Sequence, residues 1–155
     1  MHGMIRLIGG VIGMMALMAV GLVAIAADGP VLVGQVKVTQ GDTYVVRGDQ
    51  RLTLDEGALI YLNDKVSTVG DSALGITLED ATTLSLGSDS ELEINEFVFD
   101  PATDNLGMGL GLVKGTLAYV SGTIASLAPE NVAVHTPVAT IGIRGTRFVV
   151  RASGE

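Results

Sequence analysis

Between Gly75 and Asp100 the chain reads GITLEDATTLSLGSDSELEINEFVFD. Its apolar residues come in pairs two apart: Ile76 and Leu78, Leu84 and Leu86, Leu92 and Ile94, Phe97 and Phe99. A period of two is the side-chain repeat of a strand, and it does not fit the 3.6 of a helix. All four pairs can therefore lie on one core face, with Thr77, Ser85, Glu91, Glu93 and Glu96 turned to water. Glu79-Asp80 and Gly87-Ser88-Asp89 separate the strands as turns. Upstream, Val36 with Val38, Leu52 with Leu54 and Leu59 with Tyr61 repeat the pattern between turn signals at Gly41-Asp42, Gly48-Asp49, Asp55-Glu56-Gly57 and Asn63-Asp64. Turn signals spaced by about eight to twelve residues predict an all-β domain.

The same reading continues downstream. Asp100-Pro101 through Asn105 is a loop or hairpin tip. Gly107, Gly109 and Gly111 alternate with Met108, Leu110 and Leu112, which predicts a strand with one bare face open to close approach by another backbone. Leu117 with Tyr119, Val132 with Val134 and Phe148 with Val150 mark later strands, and no segment after Ala27 carries a helical stripe. With 155 residues, 4% aromatic and 21 glycines, the chain suits one modest core of short strands joined by glycine turns.

The first 27 residues form a separate unit. Arg6 precedes an apolar run of 21 residues from Leu7 to Ala27, which as a helix reaches about 30 Å. The run ends in Ala24-Ile25-Ala26, a small-x-small cleavage pattern, followed by Asp28-Gly29-Pro30. The expectation is a signal helix over residues 1–26 cleaved after Ala26, with an uncleaved membrane anchor as the alternative, and a β domain over 31–152. Either form exports the domain, released if the segment is cleaved and membrane-anchored if it is not. Membrane contact is then confined to the N-terminal segment.

Charge and motif content exclude several classes of chemistry. Nine Lys+Arg against 17 Asp+Glu give a net charge of −8, which argues against a nucleic-acid partner, because phosphate binding needs a basic surface. Cysteine is absent, so disulfides and thiolate metal sites are ruled out. Gly107 to Gly111 lacks the third glycine of a dinucleotide fingerprint, and Lys114-Gly115-Thr116 reverses the order of a phosphate loop. Asp89, Glu91 and Glu93 share a strand face but sit about 7 Å apart in an extended chain, which reads as a solvated acidic face and not a metal cage. His135, alternating out from Val134, reads as a surface or edge-strand residue. Tyr44, Tyr61 and Tyr119 read as half-buried strand residues. No catalytic residue, metal ligand or cofactor is expected. The one basic cluster, Arg144, Arg147 and Arg151, is expected to pair with strand-face acids, with a small-anion or acidic-partner site as the sharper alternative.

Several blocks stand in an order that resembles the FecR domain. They are Val33-Gly34-Gln35-Val36, Asn63-Asp64-Lys65-Val66-Ser67-Thr68, Leu84-Ser85-Leu86-Gly87 with Ser90 and Glu91-Leu92, Leu112 to Thr116, and Val120-Ser121-Gly122. The most distinctive is TPVATIGIRGT, in which Thr136, Pro137, Thr140, Gly142, Arg144, Gly145 and Thr146 match the family motif. The resemblance spans about residues 32 to 151. It implies a short solenoid-like or rolled β-sheet; alternation alone leaves a β-sandwich open. The family's namesakes are bacterial periplasmic regulators of iron–siderophore uptake, which cross the inner membrane once, sense an outer-membrane receptor and signal to a cytoplasmic sigma factor. Here only Met1 to Arg6 precede the apolar run and little follows the arginine motif. The expectation is a stand-alone exported FecR domain, periplasmic or secreted, or anchored in the inner membrane facing the periplasm, with no sigma-factor contact.

These readings point to a non-enzymatic module that binds an envelope protein or polymer, with a signalling or regulatory role and no assignable binding residues. The alternative is a structural or self-assembling surface subunit. A hydrolase resting on Asp64 and Asp71 ranks last, because no carboxylate spacing argues for it. Within the motif, Thr136 before Pro137 is extended, Ile141 and Ile143 share a strand face, and Arg144 lies opposite, placed to pair with an acid. On that reading its loss lowers thermal stability.

Overall fold

The computed structural model describes residues 29–154; the expected leader lies outside the described residues. Ten strands run in chain order: β1 Leu32–Arg47, β2 Gln50–Thr53, β3 Leu59–Tyr61, β4 Lys65–Leu78, β5 Thr83–Leu86, β6 Glu91–Asp100, β7 Asn105–Val120, β8 Val132–His135, β9 Thr140–Gly142 and β10 Arg147–Ala152. A five-residue helix, α1 (Thr123–Leu127), and 3-10 turns at Pro101–Thr103 and Pro129–Asn131 complete the described residues. No helix among them is long and apolar enough to cross a membrane.

All ten strands belong to one sheet. β1, β4 and β7 are long, and β5 and β6 lie end to end between β4 and β7 as one broken strand. Each long strand changes neighbours halfway. β3 covers the start of β1 and β2 its end, while β10 covers the end of β7 and parallel β8 its middle. One half of the sheet thus reads β3-β1-β4-β5-β7-β10, and the other β2-β1-β4-β6-β7-β8-β9. Three strands shared by both halves, β1, β4 and β7, with β5 and β6 as the broken fourth, make this one rolled, barrel-like sheet; a sandwich would need two separate sheets.

The roll happens along a crease. Gly41 in β1 (φ +78°), Gly70 in β4 (φ +61°) and Gly115 in β7 (φ +89°) adopt left-handed backbone, and the β5–β6 break at Gly87–Ser90 lies between the last two. Bending interrupts the ladder, and side-chain hydroxyls take over its bonds. The Asp42 N–H donates to Ser72 Oγ (2.9 Å), the Ser90 N–H to Thr68 Oγ1 (2.9 Å), and the Thr116 N–H to Ser90 Oγ (2.9 Å). Thr68 Oγ1 donates to the Gly87 carbonyl (2.6 Å), and the Gly70 N–H to Asp89 Oδ1 (2.7 Å). Thr68, Ser72 and Ser90 are buried, so their bonds satisfy groups shielded from water, while the Gly70–Asp89 bond lies at the surface. The register of inward side chains also flips here: β7 buries Leu110 and Leu112 before the crease and Leu117 and Tyr119 after it.

A single apolar cluster fills the roll, drawing Ile60, Ile76, Leu84 and Leu117 from one half and Val66, Leu92, Leu110 and Val134 from the other. The paired apolar residues from Ile76 to Phe97 are buried, and Phe99 is half-buried against them. A bulge between Ile94 and Glu96 carries the phase from Ile94 to Phe97.

Three expectations need correction. Gly41-Asp42 is a bend inside one 16-residue strand and not a turn between two. Tyr119 is fully buried, stacked on Phe148 with ring centroids 4.8 Å apart. The glycine face of β7 meets no second backbone closely; Glu96 and Asn95 of β6 fold over Gly107, Gly109 and Gly111. Tyr44 and Tyr61 are half-buried, and each lies beneath an arginine, Arg51 and Arg47 respectively.

A Cβ at residue 115 would collide with the side chain and Cα of Ser90, on a backbone that already disfavours one. Gly115→Ala is therefore expected to lower the urea-unfolding free energy by about 2–4 kcal/mol. Gly142→Ala, at a position with open space and ordinary φ, is expected to stay within about 0.5 kcal/mol.

Candidate functional site

The TPVATIGIRGT segment forms the β8–β9 hairpin and the loop from β9 to β10. Thr136 closes the hairpin: its N–H donates to the Ala139 carbonyl (2.8 Å), and its Oγ1 accepts from the Ala139 N–H (3.1 Å). Pro137 and Val138 form the exposed tip, Val138 at 92% exposure. Thr140 is exposed, and its Oγ1 meets His135 Nδ1 at 3.0 Å. His135 is itself exposed, as alternation predicts. Ile143 is buried and anchors the following loop, while Ile141 beside it is half-buried.

Gly142, Arg144, Gly145 and Thr146 are all exposed. The loop is tied down through its backbone: the Ser121 N–H donates to the Thr146 carbonyl (2.9 Å), and Ser121 Oγ to the Gly145 carbonyl (2.8 Å). Gly145 takes φ +114°, the bend that lets the chain turn from β9 into β10.

Two clefts flank this loop. The larger, about 720 Å³, lies between it and the α1 region and includes Ser121, Ala125, Glu130, Ile143 and Arg144. The second, about 440 Å³, runs between β9 and β10 and shares Gly142, Ile143 and Arg144 with the first. Asp80 supports the larger cleft from behind. Buried at 1% exposure, it accepts from the Thr82 N–H and Oγ1 and from the Ile124 N–H (3.1, 2.8 and 3.1 Å), pinning α1 to the β4–β5 turn. Gly122 lies directly against this turn, where a side chain would strike the Asp80 carbonyl and Thr82 backbone. Nearby, burial pushes the Tyr119 phenol up in pKa, offset in part by the Thr82 and Ser121 hydroxyls. Its OH makes no hydrogen bond of ordinary geometry among the described residues.

The polar residues most eligible for chemistry hold the scaffold. Asp64, 1% exposed, accepts from Arg47 Nε (2.8 Å) and Nη2 (2.7 Å) and from the Tyr61 N–H (2.9 Å). The Asp64 hydrogen bond raises Arg47 above its ordinary pKa. Asp71 is exposed at the crease and accepts from Ser88 Oγ (3.3 Å). Asp89 is the stitch to Gly70, while Glu91 and Glu93 both take Lys65, each at 3.3 Å.

The expected pairing of Arg144, Arg147 and Arg151 with strand-face acids does not occur: no carboxylate among the described residues lies within ion-pair distance of any of the three. The reason is register. Lys65 stands directly opposite Glu93 on the neighbouring strand and takes the acids first. Arg147 and Arg151 lie on β10 and Arg144 in the loop before it, at the far side of the sheet, all exposed. Sequence reasoning singled out the motif but missed the clefts beside it, because α1 is too short to leave a periodic signature.

A family model described as FecR protein matches residues 64–155, more than half of the chain. No curated protein and no solved structure matches the chain. The match opens at Asp64, the acid that holds Arg47, and takes in every crease residue from Thr68 onward. β1 to β3 precede it, yet β1 pairs with β4 along nearly its full length.

Arg47→Ala leaves the Asp64 carboxylate buried without its cation and is expected to cost about 2–4 kcal/mol in denaturant unfolding, moderated because Arg47 is partly exposed. Arg144→Ala, against the expectation from sequence, is expected to change stability by less than about 0.5 kcal/mol. A differential scanning measurement on both variants checks the contrast.

Proposed function

The chain belongs to the FecR family, and from that premise we propose that it is an exported, non-enzymatic module that binds a protein or polymer of the bacterial envelope within a regulatory or signalling system. The FecR domain itself is a regulatory and signalling-related module. One observation carries the binding reading: Asp64, Asp80, Asp89 and Ser90 are committed to scaffold bonds, whereas the motif loop keeps Arg144 exposed between two clefts and, among the described residues, unpaired. A surface of that kind suits contact with a partner. The apolar run from Leu7 to Ala27 with its Ala-x-Ala end supports export, and the net charge of −8 supports a partner other than nucleic acid.

The second reading, a self-assembling surface subunit, is favoured by β2, β3, β9 and β10, each of which has a neighbouring strand on one side only among the described residues. Cross-linked affinity capture from native envelope, with partners identified by mass spectrometry, separates the two. One recurrent partner is expected, together with an intact mass that begins at Ala27. Recovery of the chain alone would transfer the function to self-assembly, and turnover of a substrate without any partner would overturn both.

A further inference from the structure

Among the described residues β10 pairs with β7 on one side only, and β9 with β8 on one side only. Ladder parity identifies the peptide groups left free. The Thr146 carbonyl accepts from the Ser121 N–H, so the bonded pairs continue at Phe148 with Tyr119 and at Val150 with Leu117. The peptide groups of Arg147, Val149 and Arg151 therefore point away from β7. The same step from the Thr136–Ala139 bond leaves Thr140 and Gly142 pointing away from β8. Both strands border the 440 Å³ cleft, whose apolar lining includes Ile141, Ile143, Phe148 and Val150, with Arg144 and Arg151 also lining it.

The side chains repeat the pattern of the backbone. Arg147, Val149 and Arg151 share the outward face of β10 and are all exposed, Val149 at 66%. With Arg144 they place three of the chain's nine cationic residues on one edge of a protein of net charge −8.

We propose that the free edge of β10 is the docking strand for an extended acidic peptide segment of the partner, a proposal that rests on the protein-binding reading above. The segment adds to the sheet through main-chain bonds at Arg147, Val149 and Arg151. It carries carboxylates opposite the two arginines and an apolar residue opposite Val149, with its inward side chains over the cleft. A phosphate polymer lacks the peptide groups this edge asks for, and the acidic surface repels it. A second copy of β10 is also a poor fit: antiparallel pairing centred on Val149 sets Arg147 against Arg151, like charge against like. Edge arginines also serve elsewhere simply to guard a strand against pairing; a guard of that kind binds no acidic strand.

The test uses the whole protein and a fluorescent peptide, Thr-Glu-Val-Val-Val-Glu-Thr, with a version carrying Lys for both Glu as control. Anisotropy titration is expected to show saturable binding of the acidic peptide, at least about tenfold tighter than the lysine version and weaker at high salt. Arg147→Glu with Arg151→Glu is expected to weaken it at least about tenfold. Val149→Pro removes an outward N–H without touching the β7 ladder and is expected to abolish binding. Should that variant not fold, hydrogen exchange on the unmodified protein replaces it, with the Val149 and Arg151 amides expected to slow at least about tenfold with peptide bound. No binding, binding indifferent to the charge reversal, or protection elsewhere but not on β10 would overturn the proposal, as would sedimentation showing a dimer lost on Val149→Pro. If the peptide fails while envelope capture returns a partner equally from wild type and charge reversal, only this edge is wrong. If capture fails as well, the binding reading falls with it.

Discussion

The fold depends on a row of hydroxyls that let four strands bend at the same place. A strand of 16 residues such as β1 reaches about 50 Å if it runs straight. Four such strands side by side make a broad sheet with two exposed faces and no core. Bending them together at Gly41, Gly70, Gly87–Ser90 and Gly115 folds the sheet onto itself, and one face becomes the interior. The cost is the ladder bonds lost at the bend, each about 1–3 kcal/mol if left buried and unmade. Ser72, Thr68 and Ser90 supply those bonds from side chains, so the crease is satisfied even where it is dry. Ser67 is the exception, a buried hydroxyl beside the crease with no partner among the described residues.

Much of this was legible in the sequence. The alternation from Ile76 to Phe99 lies on strands, its apolar pairs face the core, and Glu79-Asp80 and Gly87-Ser88-Asp89 interrupt the strands where their residue types suggest. What sequence could not separate was a turn from a bend. Gly41-Asp42 and Gly48-Asp49 look alike as dipeptides, and both glycines take positive φ, yet only the second reverses the chain. The difference lies in the partner strand: Ser72 of β4 holds Asp42 in the sheet, thirty residues away in the chain. Charge pairing was illegible for the same reason. Lys65 and the β10 arginines have similar chemistry, but only Lys65 has carboxylates placed beside it by register.

The blocks that identified the family are explained mainly by the crease and its supports. Thr68, Gly87, Ser90 and Thr116 bond across the bend, Gly115 leaves room there for Ser90, Asp64 holds Arg47, and Gly122 gives α1 its close approach to the Asp80 turn. These residues say how the sheet rolls, which is why a family can be read from them without its ligand being readable too. The TPVATIGIRGT segment is mixed. Thr136 and Ile143 do structural work, while Arg144 makes no bond that the fold requires.

A rolled sheet that closed completely would have no edges to offer. Among the described residues this one does not close: β9 and β10 do not pair with each other, and the loop that joins them is anchored to the core by buried Ile143. The gap between them lies in the same segment that marks the family. Its peptide groups are solvated, so leaving them unpaired carries little penalty, and Tyr119 stacked on Phe148 holds β10 in place from the inside. Rigidity on the inner face and unspent hydrogen bonds on the outer one are what a preorganised docking strand needs, because the edge loses little conformational freedom when a second strand arrives.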